Sequence, residues 1–585
     1  MLVLSAGSVA SAEVTIRVRQ WTPTSPPNGA DWSTAYPTIE AALAVVPGGG
    51  GERYVIKVGA SSVSPYQPYL PPPAAQSQLR TYLIEKRNVW LKGGFPFAGG
   101  DARDIEANRT VLSGDVLQND TEGISSSYAD NAYFVMTLRG DTALFVLDGA
   151  VVEHGDTGTH IPDGDPTYPL PPPFGGGAIF ATEDASGKMS EPIIQNCTIE
   201  HNFGNVGGAV AAARTPISGE TSEDLPVLDV RTSTIRLNHS RGNGGGIAVR
   251  NSGLTMEGSL VVDNDAIGFG GGIEAERATI PPGALRVSLV NCTIANNVTP
   301  TDSAGGIYID NIIDRHDVFL MNTICAQNPC GQDGVFNTFG TQIFINGNQN
   351  TPWINYSALP EVTATQYGEA NIPVIFPLFL DASNPDRAAR DYRLLPCSPG
   401  RDSGQSVGAY MPIDTYDADD DGDVEELLPD VLRTARVRES DGYAAYLAAD
   451  MGAYEHDQAS ECAPDLNDDG VVNAADLAVL LGMWGPCPAD HAPPASPCQC
   501  ADIVHDAQID GQEMGLLLGA WGPCPAADQA MFTTIEQDAL TEVGISPTDV
   551  AWLFGFDSLE EFGAWLGEAP SAVQQAIIQL LGGVS

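Results

Sequence analysis

The segments that decide the fold share one frame, in which a short apolar run is followed at a fixed distance by asparagine. The frame reads Asn196-Cys197-Thr198-Ile199 with Asn202 after it, and it returns as Asn291-Cys292-Thr293-Ile294 with Asn297. The recurrence interval is about 26 to 37 residues, apart from one gap of 47. Further copies are Thr232 to Ile235 with Asn238, Gly258 to Val261 with Asn264, Met321 to Ile324 with Gln327, and a weaker copy at Gly149 to Val152.

A repeat of this length indicates a solenoid. The runs alternate with period two and are followed by glycine clusters such as Gly244-Gly245-Gly246, so they predict strands rather than helices. We expect the recurring Ile and Val to stack inside. The recurring Asn should form a hydrogen-bonded ladder along the axis. Cys197 and Cys292 share one slot three coils apart, which is too far for a disulfide.

With these repeats the chain resembles secreted right-handed parallel β-helix proteins related in fold to pectate lyases. The stretch from Ala30 to Ile39 is similar to the opening motif of that family, ahead of a short capping helix. Lys92-Gly93-Gly94-Phe95 is similar to a first coil, and Asp450 to Glu455 to a closing motif. The resemblance brackets residues 30 to 456. It implies an all-β, right-handed parallel β-helix in an extracellular setting, and it implies no particular activity.

Length and charge limit the function classes. The chain has 585 residues, which is too long for one core, and 27 basic against 75 acidic side chains, a formal charge of −48. This charge excludes nucleic-acid binding through a basic surface. We expect a signal-peptide remnant at residues 1–12 and the β-helix at 13–456. A module at 457–527 and a helical tail at 528–585 complete the division.

Residues 1–12 end in Ala10-Ser11-Ala12, which is typical of a secretory cleavage site. No apolar run is long enough to span a bilayer. We therefore expect a secreted bacterial protein, extracellular or at the cell surface, without a transmembrane segment. An ordinary N-terminus is the alternative interpretation of residues 1–12.

Residues 465–476 have the pattern of a twelve-residue calcium loop. Oxygen donors stand at positions 1, 3, 5, 9 and 12, glycine stands at position 6, and position 7 gives a backbone carbonyl. The predicted ligands are Asp465, Asn467, Asp469, Val471, Asn473 and Asp476.

The unit returns 37 residues later in a degenerate form. Val504 and Ala507 replace a ligand and the glycine, so we expect the second loop to be weaker or empty. Calcium should drive folding of the module, with the first loop dominant. The candidate ligands of the second loop are Asp502, Asp506, Gln508, Asp510 and Glu513.

Two loop-helix units in tandem, each ending in Trp-Gly-Pro-Cys, resemble dockerin domains. The resemblance implies calcium as cofactor and docking onto a cohesin-like or other cell-surface protein. The small residues Ala474 and Ala475 at two partner-selecting positions put the usual cohesin in doubt. From symmetry we predict the disulfides Cys462–Cys487 and Cys500–Cys524, with a small loop between Cys325 and Cys330 as a further candidate. Cys498 has no assigned partner.

No catalytic spacing specifies a reaction. Polar turn residues are expected on one ridge along successive coils: Glu200, His201, Asn238, His239, Arg241, Asp263, Asp265 and Asn296. A second polar cluster consists of Asp310, Asp314, Arg315 and His316. Solvated turns are the preferred interpretation of both groups. The run Asp417 to Asp423 begins like a third calcium loop. Its position 12 is Leu428, so a solvated turn is the preferred interpretation. Two classes remain open: a polysaccharide hydrolase or lyase, and a non-catalytic surface or scaffold protein with a β-helix binding face.

Overall fold

The structure, a computed structural model, describes most of the β-helix and part of the C-terminal module. The predicted signal segment 1–12 and tail 528–585 lie outside the described residues. The described ranges are 13–21, 26–47, 52–63, 66–73, 79–120, 130–140, 144–157, 175–215, 226–277, 285–301, 304–311, 316–330, 342–346, 352–360, 370–372, 379–395, 398–401, 403–406, 411–436, 438–439, 447–455, 464–466, 470–482, 484–486, 501, 503 and 508–524.

Three parallel sheets stack coil upon coil, so the chain forms the predicted parallel β-helix. Sheet A has ten strands in the described residues: Glu13–Val18, Arg53–Gly59, Val89–Phe95, Val146–Asp148, Ile193–Gln195, Val227–Arg231, Gly253–Glu257, Leu285–Val290, His316–Met321 and Trp353–Asn355. Sheet B has seven: Thr110–Ser113, Ala150–Glu153, Thr198–Glu200, Thr234–Arg236, Leu260–Val262, Thr293–Ala295 and Ile324–Ala326. Sheet C has eight: Tyr82–Ile84, Met136–Arg139, Ile179–Thr182, Val210–Ala213, Ile247–Arg250, Ile273–Arg277, Ile307–Asn311 and Ile343–Asn346.

Smaller elements decorate this helix. Helix α1, Ile39–Val45, follows the opening motif as expected and is N-capped by the Thr38 side chain. A three-stranded sheet joins Phe203–Gly204, His239–Ser240 and Asp265–Ala266. Two-stranded sheets pair Ser62–Val63 with Tyr66–Gln67, Phe379–Asp381 with Asp391–Leu394, and Arg438–Glu439 with Leu447–Ala448; a 3-10 turn spans Arg387–Ala389.

The predicted inner stack is confirmed. Ile199, Ile235, Val261 and Ile294 occupy consecutive register positions on sheet B, and all four are fully buried. Removing such side chains from water is the main source of stability in a solenoid whose coils contact only their neighbours.

The asparagine ladder is also confirmed. The amide nitrogen of Asn202 donates to Asn238 at 3.0 Å, and each later step through Asn264 to Asn297 measures 2.9 Å. The prediction is wrong by one residue at the last copy, because Asn297 donates to Asn328 rather than meeting Gln327. Cys325, not Ile324, takes the inner position there. The ladder ends at Gln342, whose side-chain oxygen accepts a hydrogen bond from Asn328 Nδ2 at 2.8 Å.

Four cysteines of the β-helix lie in the described residues, and none of the four forms a disulfide. Cys197 and Cys292 are buried and form no disulfide, as expected. The candidate disulfide between Cys325 and Cys330 is wrong. Cys325 packs into the inner stack beside Ile294. The backbone of Cys330 instead forms an isolated β-bridge with Thr299 on the preceding coil.

The C-terminal part of the β-helix region folds back over the outer face of sheet B. Phe379, Tyr392, Leu394 and Met451 pack against Leu260 and its neighbours on that face in one apolar cluster. This strap covers the later coils and leaves the earlier coils open.

No helix among the described residues is long and apolar enough to cross a membrane.

In the C-terminal module the two repeats exchange short strands. Helix α2, Ala474–Gly482, and helix α3, Gly511–Gly519, follow the two loops. The segment after each helix pairs with the loop of the other repeat: Gly485–Pro486 with Gln508–Ile509, and Val471–Val472 with Gly522–Pro523. The shared core contains Leu466, Val472, Leu480, Ala501, Ile509 and Leu517.

Candidate functional site

A groove of about 390 Å³ runs along the open outer face of sheet B. Thr198 and Thr234 lie on its floor. The segment around Ile105 forms one wall, and the strap residues Tyr392 and Leu432 belong to the other. The strap, which packs on the later coils, thus contributes one side of the groove.

Arginines dominate the polar lining of this groove. Five of them line it, although the whole chain contains only 27 basic residues against 75 acidic ones. They come from the first coil of sheet B, from its fourth strand and from the strap: Arg109, Arg236, Arg387, Arg390 and Arg433. Guanidinium groups carry five donors in a planar fork and bind carboxylates or sulfates well.

Buried carboxylates hold the arginines in place. Glu200 accepts from Arg109 at 3.2 Å and from Arg236 at 2.8 Å. Arg433 reaches across the groove to the exposed Glu106 at 3.8 Å. With Asp263, three carboxylates face five arginines, so this groove is locally positive on a strongly acidic protein.

Asp263 ties the strap to sheet B. Its side chain is ion-paired with Arg390 and accepts a 2.7 Å hydrogen bond from the Tyr392 hydroxyl. Burial raises the pKa of Asp263, while Tyr392 and Arg390 oppose that shift. Burial also raises the pKa of the Tyr392 phenol well above its ordinary value.

The predicted polar ridge divides into separate places. Glu200, Asp263 and Asn296 meet the groove or the strap, and His201 stacks on His154 with ring centres 6.0 Å apart. Asn238 is a ladder residue, while His239 pairs with Asp265 and Arg241 lies over Phe203. In the second cluster Asp310 is on sheet C; Asp314 and Arg315 lie outside the described residues.

The acidic loop 414–426 is anchored on sheet A. Asp420 forms ion pairs with Lys92 and Arg103, and Asn196 donates to the Ala418 carbonyl at 2.8 Å. Carboxylate oxygens of Asp417, Asp419 and Asp421, the first, third and fifth loop positions, lie within 4.8 Å of one another. The solvated-turn interpretation stays a prediction, because an acidic turn has the same arrangement without an ion.

The first predicted calcium loop, residues 465–476, is partly described. The Gly470 amide donates to Asp465 at 2.8 Å, which closes the loop between its first and sixth positions. The buried Asp476 accepts from the amides of Leu466 and Asn473 at 2.8 and 2.7 Å. Val471 and Asn473 are in the described residues, whereas Asn467 and Asp469 are outside them. The described residues thus gather donors of the kind that calcium prefers.

The second loop retains a donor at its twelfth position. Glu513 is fully buried and accepts from the Asp510 amide at 2.8 Å through one oxygen. Its other oxygen is buried and has no hydrogen-bond partner within the described part of the chain. Gln508 is described, and Asp502 and Asp506 fall outside. A buried carboxylate oxygen without a partner fits a calcium ion in this loop.

Cys524 is disulfide-bonded and lies beside the first loop, not the second. Its amide donates to the Gly470 carbonyl at 2.8 Å, and its sulfur is 3.6 Å from an Asp465 carboxylate oxygen. Cys462, Cys487 and Cys500 lie outside the described residues, so the predicted pairs Cys462–Cys487 and Cys500–Cys524 stay predictions.

Comparisons with known proteins bear on the fold alone. No protein-family model matches the chain, and no curated protein matches it in sequence. Among solved structures, the crystal structure of pectate lyase Pel9A is 11% identical, with a TM-score of 0.33; the match covers 76% of this chain and 97% of that one. The class of this protein, a parallel β-helix, therefore rests on its own three sheets.

Proposed function

We propose that this protein is a secreted, carbohydrate-associated β-helix protein that binds an anionic polysaccharide in the groove on sheet B. The observation that carries the proposal is the gathering of five arginines in one groove of a chain with a formal charge of −48. A surface this acidic repels polyanions elsewhere, so a local positive groove gives both affinity and orientation.

The lining favours sugar acids or sulfated sugars over neutral ones. Arginine forks pair with planar carboxylates and with sulfate oxygens through two parallel hydrogen bonds. The arginines are pre-oriented by Glu200 and Asp263, so little side-chain entropy is lost when a ligand binds. An extended polymer lying along the axis meets successive coils about 4.8 Å apart.

Binding is better supported than catalysis. The carboxylates in the groove are engaged: Glu200 by two arginines, and Asp263 by Arg390 and the Tyr392 hydroxyl. An acid held this way is not poised to donate or accept a proton in a reaction. The alternative, an O-glycosyl hydrolase or lyase active in polysaccharide degradation, is tested below by looking for products.

We further propose that the C-terminal module is a dockerin-like domain that attaches the protein to a cohesin-like or other cell-surface partner when calcium is bound. The support is the pair of loop-helix units with cross-paired strands and gathered oxygen donors. The acidic surface, the disulfide at Cys524 and the predicted signal segment agree with an extracellular location.

The test is electrophoresis through gels that contain polygalacturonate, alginate, chondroitin sulfate or neutral dextran, with chelator present to exclude calcium bridging. We expect retardation by one or more of the anionic polymers and none by dextran. The same polymers are then screened for reducing ends and for unsaturated products. Equal migration in all gels would refute the binding proposal, and product formation would establish the enzyme alternative.

A further inference from the structure

Three segments meet beside the first strands of sheet B, away from the calcium loops of the C-terminal module. The Gly114 amide donates to the Glu153 carbonyl at 2.8 Å, and the Ala132 amide donates to the Gly114 carbonyl at 2.9 Å. The Asp156 amide donates to the Ala132 carbonyl at 2.8 Å. These bonds fix the backbone on which a group of oxygen-bearing side chains is mounted.

Two buried oxygens in this group have no hydrogen-bond partner within the described ranges. The Asn131 side chain, 1% exposed, donates from Nδ2 to Asp120 Oδ2 at 2.8 Å. Asn131 Oδ1 and Asp120 Oδ1 are both buried and unpartnered. Turning the amide over would set an oxygen against the carboxylate, so the orientation is fixed and the two acceptors remain.

The surrounding charge is negative. Asp115 and Asp130 belong to the same two segments as Asp120 and Asn131, and Glu153 ends the adjoining strand, where its carboxylate is 3.4 Å from His154. Asp130 accepts from the Leu117 amide at 2.9 Å. Asp115 itself accepts the amides of Asn119 and Asp120 at 3.2 Å, which holds its carboxylate in place.

We propose that Asp120 and Asn131 are ligands of a divalent cation bound at this place. The donors are a carboxylate and an amide carbonyl, which are hard oxygen ligands, so calcium is the expected ion. Its charge satisfies both unpartnered oxygens and offsets the neighbouring carboxylates. Water supplies the rest of a six- to eight-oxygen shell. This site is independent of the ligand of the groove.

The experiment is calcium binding to the full chain by equilibrium dialysis after chelator treatment. We expect Asp120→Asn to bind one calcium fewer per chain than the wild type. The matched control is Asp184→Asn, which changes a turn aspartate that accepts from the amides of Ser186 and Lys188 on another coil. The control should bind as many ions as the wild type. The same difference of one ion should persist in an Asp465→Ala background, which separates this site from the C-terminal module.

A second variant keeps the proposal testable if Asp120→Asn fails to fold. Asn131→Leu removes the amide oxygen and keeps Asp120, so it should also bind one calcium fewer per chain and show a smaller rise in melting temperature with calcium than the wild type. Unchanged stoichiometry in a folded Asp120→Asn or a folded Asn131→Leu would overturn the site and leave an ordered water as the partner of the two oxygens.

Discussion

The Tyr392 hydroxyl donates a 2.7 Å hydrogen bond to Asp263 from 129 residues further along the chain. The same hydroxyl accepts from Asn296 at 2.9 Å. Through this phenol the strap is joined to two consecutive coils of sheet B, and the strap side of the groove is held against its floor.

Replacing that hydroxyl tests how the strap is held. Tyr392→Phe leaves the ring packing intact but removes a donor to a buried carboxylate, which costs about 1–3 kcal/mol. We expect urea unfolding to show a loss of that size. The exposed-face change Tyr54→Phe, which removes a surface bond to Glu52, is the control and should cost far less. Equal losses in the two variants would contradict the role given to Tyr392.

Sheet C contains an acid that makes stability depend on pH. Glu274 is buried, and burial with repulsion from Glu276 raises its pKa from 4.5 to about 8. Because the folded pKa lies above the unfolded one, the folded state holds the proton more firmly. The contribution of Glu274 to stability is therefore full below about pH 4.5, and it is lost as the pH rises towards about 8.

We expect Glu274→Gln to flatten the stability profile over this pH range, by an amount on the order of a few kcal/mol. The measurement is denaturant unfolding at a series of pH values. The control is Glu52→Gln, which changes an exposed acid on another coil and should leave the pH profile as in the wild type. A wild-type profile that rises with pH across this window, with no change in Glu274→Gln, would disprove the assignment.

The ladder shows what the sequence predicts well and where it fails. Asn202, Asn238, Asn264 and Asn297 were predictable because each follows a clear β-branched run at the same distance. At the next coil Ile324 and Cys325 are both apolar, so the pattern alone allows two registers. The structure selects the one that brings Asn328 to Asn297.

The groove was not predictable in the same way. Glu200 and Asp263 belong to the repeats and were candidates for that reason. Arg109, Arg387 and Arg433 lie far from them in sequence, outside the repeat frame, and meet only because the strap folds back. The strand exchange in the C-terminal module was likewise hidden, since each repeat looks complete by itself.

Calcium binding by the C-terminal module should occur in two separable events. Asp465→Ala should abolish the tighter event, because that carboxylate also closes the loop onto the Gly470 amide. Glu513→Gln should remove only the weaker event while keeping the helix cap to Asp510. Calorimetric titration of the full chain checks both. Loss of the tighter event in Glu513→Gln would reverse the order of the two loops.

The disulfide of Cys524 provides an independent check on the strand exchange. The Cys524 sulfur lies 3.6 Å from the Asp465 carboxylate of the other repeat, and Cys462 is three residues before Asp465 in the sequence. We expect peptide mapping without reduction to join Cys524 to Cys462. A Cys500–Cys524 peptide would support pairing within a repeat instead.

The affinity of the groove for polygalacturonate tests the central claim most directly. Calorimetry in chelator should show that the wild type binds this polymer. The affinity should fall roughly tenfold in Arg433→Gln, and roughly tenfold again in the double variant that also carries Arg109→Gln. Arg250→Gln, an arginine of sheet C paired with Glu276, should bind like the wild type. Alginate and chondroitin sulfate are titrated in the same way. Loss of affinity confined to the groove variants is the predicted result, and equal affinity in all four proteins, or no binding to any of the three polyanions, would contradict the account.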